Sequence, residues 1–147
     1  MASDPYSTEL LKLAADIPHL GRLDAPQASA HRVSRICGSE IDVDVALSEG
    51  RLSELGLDVR ACALGQASAS VLARSGLGAT RAEIEAARDA LKAMLKDDAA
   101  PPQGRFAGLS VLEGARDYRQ RHGSILLAFE AAADAMAEAE AKAQTAD

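Results

Sequence analysis

A run of strict alternation governs what this chain can fold into. Ile41, Val43, Val45 and Leu47 alternate with Asp42, Asp44 and Ala46, and Leu55, Leu57 and Val59 alternate with Gly56 and Asp58. A period of two sends one set of side chains to a buried face and the other to water, so each run reads as a half-buried strand. Glu49-Gly50 supplies the turn between them and makes the strands antiparallel neighbours. His31 to Ser34, with Val33 inward, is read as a third strand at the edge. The two cysteines of the chain flank this region. Cys37 precedes the first clear strand and Cys62 follows the second, so a hairpin brings both thiols to one end of the sheet.

Each thiol has a flexible neighbour, Gly38 or Gly65, and follows a basic residue, Arg35 or Arg60. A cation close to a thiol favours the thiolate, the form that binds metal or attacks sulfur. The plain alternative is a pair of buried small hydrophobes, as free cysteines often are. His122 is the third candidate, in the first turn of the last predicted helix. Gly123 beside it costs about 1 kcal/mol relative to alanine within a helix, which hints at a close approach there. Two thiolates and one imidazole suit Zn²⁺ or an iron–sulfur cluster, both of which accept mixed Cys/His ligation.

Other residues carry less chemistry. Asp42 and Asp44 fall on one face of a strand and read as a solvated face, not a catalytic carboxylate pair. Ser68 and Ser70 have no base near them in sequence. Gly76-Leu77-Gly78 lacks the Lys-Ser/Thr that a phosphate loop needs. His19 and His31 read as surface residues.

The rest of the chain is helical in pattern. Pro5 to Ala15 reads as a short amphipathic helix with Ser7 as N-cap, stopped by Pro18. A small-residue helix from Gln66 suits close packing on a sheet and ends at Gly76 and Gly78. Thr80 with Glu83 forms a capping box ahead of a face of Ile84, Ala87, Leu91, Met94 and Leu95. Phe106, Leu109 and Leu112 mark a helical turn or two after the Pro101-Pro102 loop. Asp117 and Gln120 resemble a capping pair before a final helix that buries Ile125, Leu126, Phe129, Ala133 and Met136. The 147 residues are read as one domain, with 137–147 a frayed tail.

Composition narrows the function. A net charge of −6 argues against nucleic-acid binding. No apolar run approaches the roughly 20 residues of a membrane span, and Met1-Ala2-Ser3-Asp4-Pro5 does not look like a signal peptide. The expected location is the cytoplasm, where two cysteines serve as thiols or metal ligands more often than as a structural disulfide.

With these residues in view, the chain resembles the iron–sulfur cluster assembly scaffold family, of the IscU/SufU and NifU amino-terminal-domain type, over roughly residues 6 to 136. Pro18-His19-Leu20-Gly21-Arg22-Leu23 is similar to the family's Pro…Gly-x-Leu approach to its first cysteine. Ile36-Cys37-Gly38-Ser39 resembles its Cys-Gly-Asp motif. Cys62 with Ala67-Ser68-Ala69-Ser70 resembles its Cys-x-x-x-x-Ala-Ser-x-Ser segment. Gly114-Ala115-Arg116-Asp117-Tyr118 and the helix from His122 are similar to the approach to its third cysteine.

The resemblance implies an α+β fold, with a three-stranded antiparallel sheet packed against several helices. It implies a site where three cysteines and an aspartate hold a nascent [2Fe–2S] cluster, iron or Zn²⁺. It also implies a cysteine desulfurase partner, recipient apo-proteins or carrier proteins, and a monomer or weak homo-oligomer. Cys37 and Cys62 match the first two cysteines. Ser39 stands where the family has aspartate, and the third cysteine falls at His122, Gly123 or Ser124 depending on register. His122 is the expected third ligand, because it restores a metal-binding side chain. Tyr118-Arg119-Gln120-Arg121 replaces the family's Leu-Pro-Pro-Val-Lys chaperone motif. The leading expectation is a non-catalytic scaffold or carrier. The alternatives are a persulfide-accepting sulfur-transfer partner and an interaction module that keeps the fold without the metal.

Overall fold

The computed structural model describes residues 5–145. Its centre is an antiparallel sheet in the order β1 (Ala28–Ser34), β2 (Ser39–Ser48), β3 (Arg51–Arg60). The expected turn closes the hairpin between β2 and β3. Glu49 and Gly50 both take positive φ, 54° and 76°, the geometry that lets a two-residue loop follow the right-handed twist of its strands. Ile41 faces Val59, Val43 faces Leu57 and Val45 faces Leu55, so the alternating residues of both strands line one face. A register shift at Ala46/Leu47 then pairs Leu47 with Leu52.

That face carries the helices. α2 (Ala63–Ser75) and α4 (His122–Thr145) pack on it and on each other. α1 (Thr8–Ala15) lies against α2, and α3 (Arg81–Lys96) lies against α4. The result is an α+β fold with one contiguous core. Val43, Leu57, Leu64, Leu72, Ile84, Leu91, Ile125 and Phe129 are fully buried in it. With few aromatics, the core leans on alanines along α2 and α4, which let the helices sit close to the sheet.

The local signals behave as the residues require. Ser7 Oγ accepts from the N–H of Leu10, and Thr80 and Glu83 form the reciprocal capping box. Phe106, Leu109 and Leu112 are buried along a 3₁₀ segment, Gly104–Ala115. The expected Asp117–Gln120 cap does not form. Instead Tyr118 precedes a 3₁₀ turn, Arg119–Arg121, that runs straight into α4.

Val33, read as the inward residue of the edge strand, is instead 51% exposed. Two further readings change. Asp44 is not on a solvated face. Arg22 binds its carboxylate through Nε and Nη2, both at 2.8 Å, and the Leu23 N–H and Ser29 hydroxyl donate to it at 3.0 and 2.6 Å. The segment around Gly21, hydrogen-bonded to Leu57 at the β3 edge, folds across the sheet and covers Asp44. A buried carboxylate is tolerated when it is paired and hydrogen-bonded in this way, and the Arg22 partnership holds its pKa below the usual carboxylate range. The second change concerns the stretch 137–147, of which 146 and 147 lie outside the described residues. The segment read as a frayed tail continues α4 to Thr145, with Ala139 buried and Glu140 paired to Arg81 at 2.9 Å.

Candidate functional site

Three chain segments meet at the end of the sheet where β1 turns into β2. Cys37 lies in that turn, where Gly38 adopts a φ of 70° and its N–H donates to the Ser34 carbonyl at 2.8 Å. The Cys37 thiol donates to the Gln120 carbonyl at 2.6 Å, which fastens the turn to the approach to α4. Cys62 is the N-cap residue of α2, and its Sγ lies 3.5 Å from Ser124 Oγ. Ser124 Oγ in turn lies 2.9 Å from Ser39 Oγ, and both serines are buried. The Ser124 hydroxyl, from the first turn of α4, therefore stands between the Cys62 thiol and the Ser39 hydroxyl of β2. Both cysteines are free and half-buried.

Glycines make this convergence possible. A Cβ on Gly65 would sit 2.5 Å from Ser124 Oγ, 2.9 Å from the Ala61 Cβ and 3.1 Å from the Ser124 carbonyl oxygen. A Cβ on Gly123 would sit 2.7 Å from Ser34 Oγ. Gly65 admits α4 to the start of α2, and Gly123 admits it to the end of β1. The helix-weakening glycine beside His122 thus does mark a close approach.

The electrostatics at Cys62 favour the thiolate. Burial pushes the Cys62 thiol up. The Gly65 N–H, the Ser124 hydroxyl, the Leu64 N–H and the positive charge of Arg121 outweigh it and leave the thiol below its ordinary value. The cation near this thiol is Arg121, not the expected Arg60, which pairs with Glu40 at 3.2 Å. Cys62 is therefore placed to exist as thiolate.

His122 does not join the cysteines. Its ring is buried, and Nε2 faces the carbonyl oxygens of Ala115 and Arg116 at 3.1 and 3.0 Å. A nitrogen between two acceptors carries the proton and has no lone pair to offer a metal. The expected Cys37, Cys62 and His122 set is not assembled. Among the described residues no group of three or more His, Cys, Asp and Glu side chains is placed to hold a metal ion. Two steps along an α-helix rotate by about 200°, so His122 and Ser124 must point to opposite sides. Of the three register options it is Ser124 whose side chain meets Cys62.

No protein-family model matches the chain, and no curated protein does. Among solved structures, the crystal structure of the amino-terminal part of a nitrogen-fixing NifU-like protein from Brucella abortus is 43% identical. It superposes with a TM-score of 0.90, over 93% of this chain and 95% of that one. The chain belongs to the NifU-like amino-terminal-domain family. A more distant structure shares the fold, with 16% identity and a TM-score of 0.81 over 90% of this chain and 96% of the other. It is a protein of Fervidobacterium islandicum AW-1 described as an iron–sulfur cluster assembly scaffold of the SUF system. In this NifU-like chain the β1–β2 turn, the start of α2 and the start of α4 converge on two thiols and two serine hydroxyls. No helix among the described residues is long and apolar enough to cross a membrane.

Proposed function

We propose that this NifU-like chain is a non-catalytic iron–sulfur cluster assembly protein of the cytoplasm, and that Cys37 and Cys62 receive its cargo. The observation that carries the reading is the placement of Cys62. It is the N-cap residue of α2, where the Gly65 and Leu64 N–H groups favour its thiolate, and it touches Ser124 Oγ and feels Arg121. Family membership adds support, as does the role described for the Fervidobacterium protein. The cluster is cargo here, so transient, partly open ligation suits the task. Thiolates are the ligands iron–sulfur units prefer, and two of them supply half of an all-cysteine shell. Ser124 is a hydroxyl donor that supports the Cys62 thiolate, and Ser39 contacts Ser124; as neutral groups both serines are poor ligands. The remaining positions therefore fall to ligands from outside this chain's site, such as a recipient protein's thiols. Anaerobic reconstitution with ferrous iron and sulfide gives coloured protein under this reading, and Cys37→Ala or Cys62→Ala loses the colour. A colourless wild type, free of iron and acid-labile sulfide, ends it.

The depressed Cys62 pKa also favours a second reading, acceptance of sulfur from a cysteine desulfurase. The Cys62 thiolate attacks the terminal sulfur of the donor's persulfide. The donor's S–S bond breaks, a new S–S bond forms at Cys62, and the donor cysteine leaves as thiolate. No external oxidant or reductant is needed. Intact-mass measurement after incubation with desulfurase and cysteine would show one added sulfur atom on Cys62, and its absence would exclude transfer to this residue.

A further inference from the structure

The two edges of the sheet are not alike. On the β3 side a strap covers the edge: the Leu57 N–H donates to the His19 carbonyl at 3.0 Å, and the Gly21 N–H donates to the Leu57 carbonyl at 2.8 Å. Those bonds also fix which way the other strands point, because backbone groups alternate sides along a strand. Leu57 points away from β2, so its partner Val43 points toward β1, and Ala30, opposite Val43, points back at β2. The backbone groups of Ser29, His31 and Val33 therefore face outward from β1. No backbone hydrogen bond from another described segment reaches them. Free edges are commonly blunted by proline, by a bulge or by charged side chains. β1 contains no proline, and its pairing with β2 runs without a register shift. Its titratable side chains are drawn off the edge. His31 Nδ1 lies 2.9 Å from Asp42 Oδ1 on the outer face, and Arg32 Nε donates to Asp134 of α4 at 2.7 Å on the inner one.

Beside this edge Arg32, Arg88, Asp89, Lys92, Leu126 and Glu130 line a polar cavity between β1, α3 and α4. Three cations stand there against two carboxylates, in a chain whose net charge is −6. Arg32 and Arg88 have carboxylate partners at 2.7 and 3.0 Å, while Lys92 forms no ion pair among the described residues. A strand added along β1 sends alternate side chains toward the cavity, where a carboxylate would meet Lys92. A second copy of the chain supplies none. The residues of β1 on that face are Ala28, Ala30, Arg32 and Ser34, so self-pairing would bring a further arginine to a cationic cavity.

We propose that the β1 edge receives an extended acidic segment of a partner protein as an added strand, paired to the backbone of Ser29, His31 and Val33 with a carboxylate toward Lys92. Backbone pairing supplies affinity and the cavity selects the side chain. Val33, 51% exposed on the outer face, gives the segment's other side chains an apolar neighbour. Neither thiol takes part, so the inference stands apart from the cargo reading.

The test titrates the isotope-labelled full chain with the acetylated and amidated heptapeptide Thr-Val-Glu-Val-Ser-Val-Thr, followed by heteronuclear NMR. The peptide should bind with a Kd below about 1 mM and protect the amides of Ser29, His31 and Val33 from exchange. Glutamine in place of its glutamate should weaken binding about fivefold, and Lys92→Glu about tenfold or more. A peptide carrying lysine at that position should recover affinity for the Lys92→Glu variant. His31→Pro removes one outward N–H and spares the bonds to β2, so it should abolish binding, while His31→Ala should bind as the wild type does. Should His31→Pro not fold, the amide protection and the charge exchange at Lys92 decide alone. No binding by the wild type, binding that leaves the three amides unprotected, a folded His31→Pro that binds like His31→Ala, or indifference to Lys92→Glu would each overturn the proposal. So would a dimer that protects the same amides without peptide, which would assign the edge to a second copy.

Discussion

At the scale of single residues the site is a contest over one proton. Cys62 is half-buried, which on its own favours the neutral thiol, yet four stabilising influences on the thiolate prevail. The sign of the consequence follows directly. With its pKa depressed, the thiolate is populated at pH values where an ordinary cysteine, titrating near about 8.5, is mostly protonated. Alkylation of Cys62 by iodoacetamide should therefore show a midpoint below that of a cysteine in a model peptide, read by mass spectrometry at each pH. Ser124→Ala removes one donor and should move the midpoint upward, while Ser124→Thr keeps the hydroxyl and should not. A midpoint indifferent to Ser124→Ala would assign the depression to the helix N–H groups and Arg121. Ser124 was one of three register options in the sequence and could not be selected there, because selection depends on which way α4 faces. His122 had the right chemistry and the wrong face, and the carbonyls that hold it belong to the end of the 3₁₀ segment, which no spacing in the sequence reveals. Asp44 was misread for a related reason. Alternation places it opposite the core, and only the folding of Arg22 and Leu23 across the sheet buries it.

At the scale of elements, the site depends on how closely α2 and α4 approach. Their contact at Gly65 and Ser124 leaves no room for a methyl group. Gly65→Ala improves helix propensity by up to about 1 kcal/mol. Overpacking against the Ser124 carbonyl and Ala61 costs about 1–3 kcal/mol. The net expectation is a loss of about 1 kcal/mol, read as a lower urea midpoint with an unchanged m-value. The displaced Ser124 should also raise the Cys62 alkylation midpoint. Both shifts together identify the glycine as a spacer for the site; an alanine variant as stable and as reactive as wild type would show that the helices can part without consequence. The elements themselves were far more legible than this contact. The β2–β3 alternation, the Glu49-Gly50 turn, the Ser7 cap and the Thr80–Glu83 box each act through neighbours within a few residues. Local physics suffices to place them.

At the scale of the whole molecule, α4 joins the functional end to the rest of the fold. Its first turn carries Ser124 against Cys62, and its 24 residues extend about 36 Å at the usual helical rise. The far end is fastened in two directions. Glu140 pairs with Arg81 at the start of α3, and the residues just before β1 are tied to it by Gln27 Nε2 donating to the Ala139 carbonyl at 3.4 Å and Lys142 Nζ donating to the Gln27 carbonyl at 3.3 Å. The Ala/Glu/Lys composition of this stretch gave no hint of these ties, because each partner lies far away in sequence. Ending the chain after Ala137 removes buried Ala139 and both connections. Exposed ion pairs are individually worth little, so the summed loss should be about 2 kcal/mol, or a fall in Tm of roughly 4–8 °C. The thiol site lies at the other end of the helix, so the Cys62 alkylation midpoint should stay unchanged in the truncated chain. A truncated protein that melts with the full chain would show that the final turns contribute nothing to the fold. A truncated protein whose Cys62 reactivity also shifts would mean that α4 acts as a lever, with its far end setting the position of Ser124.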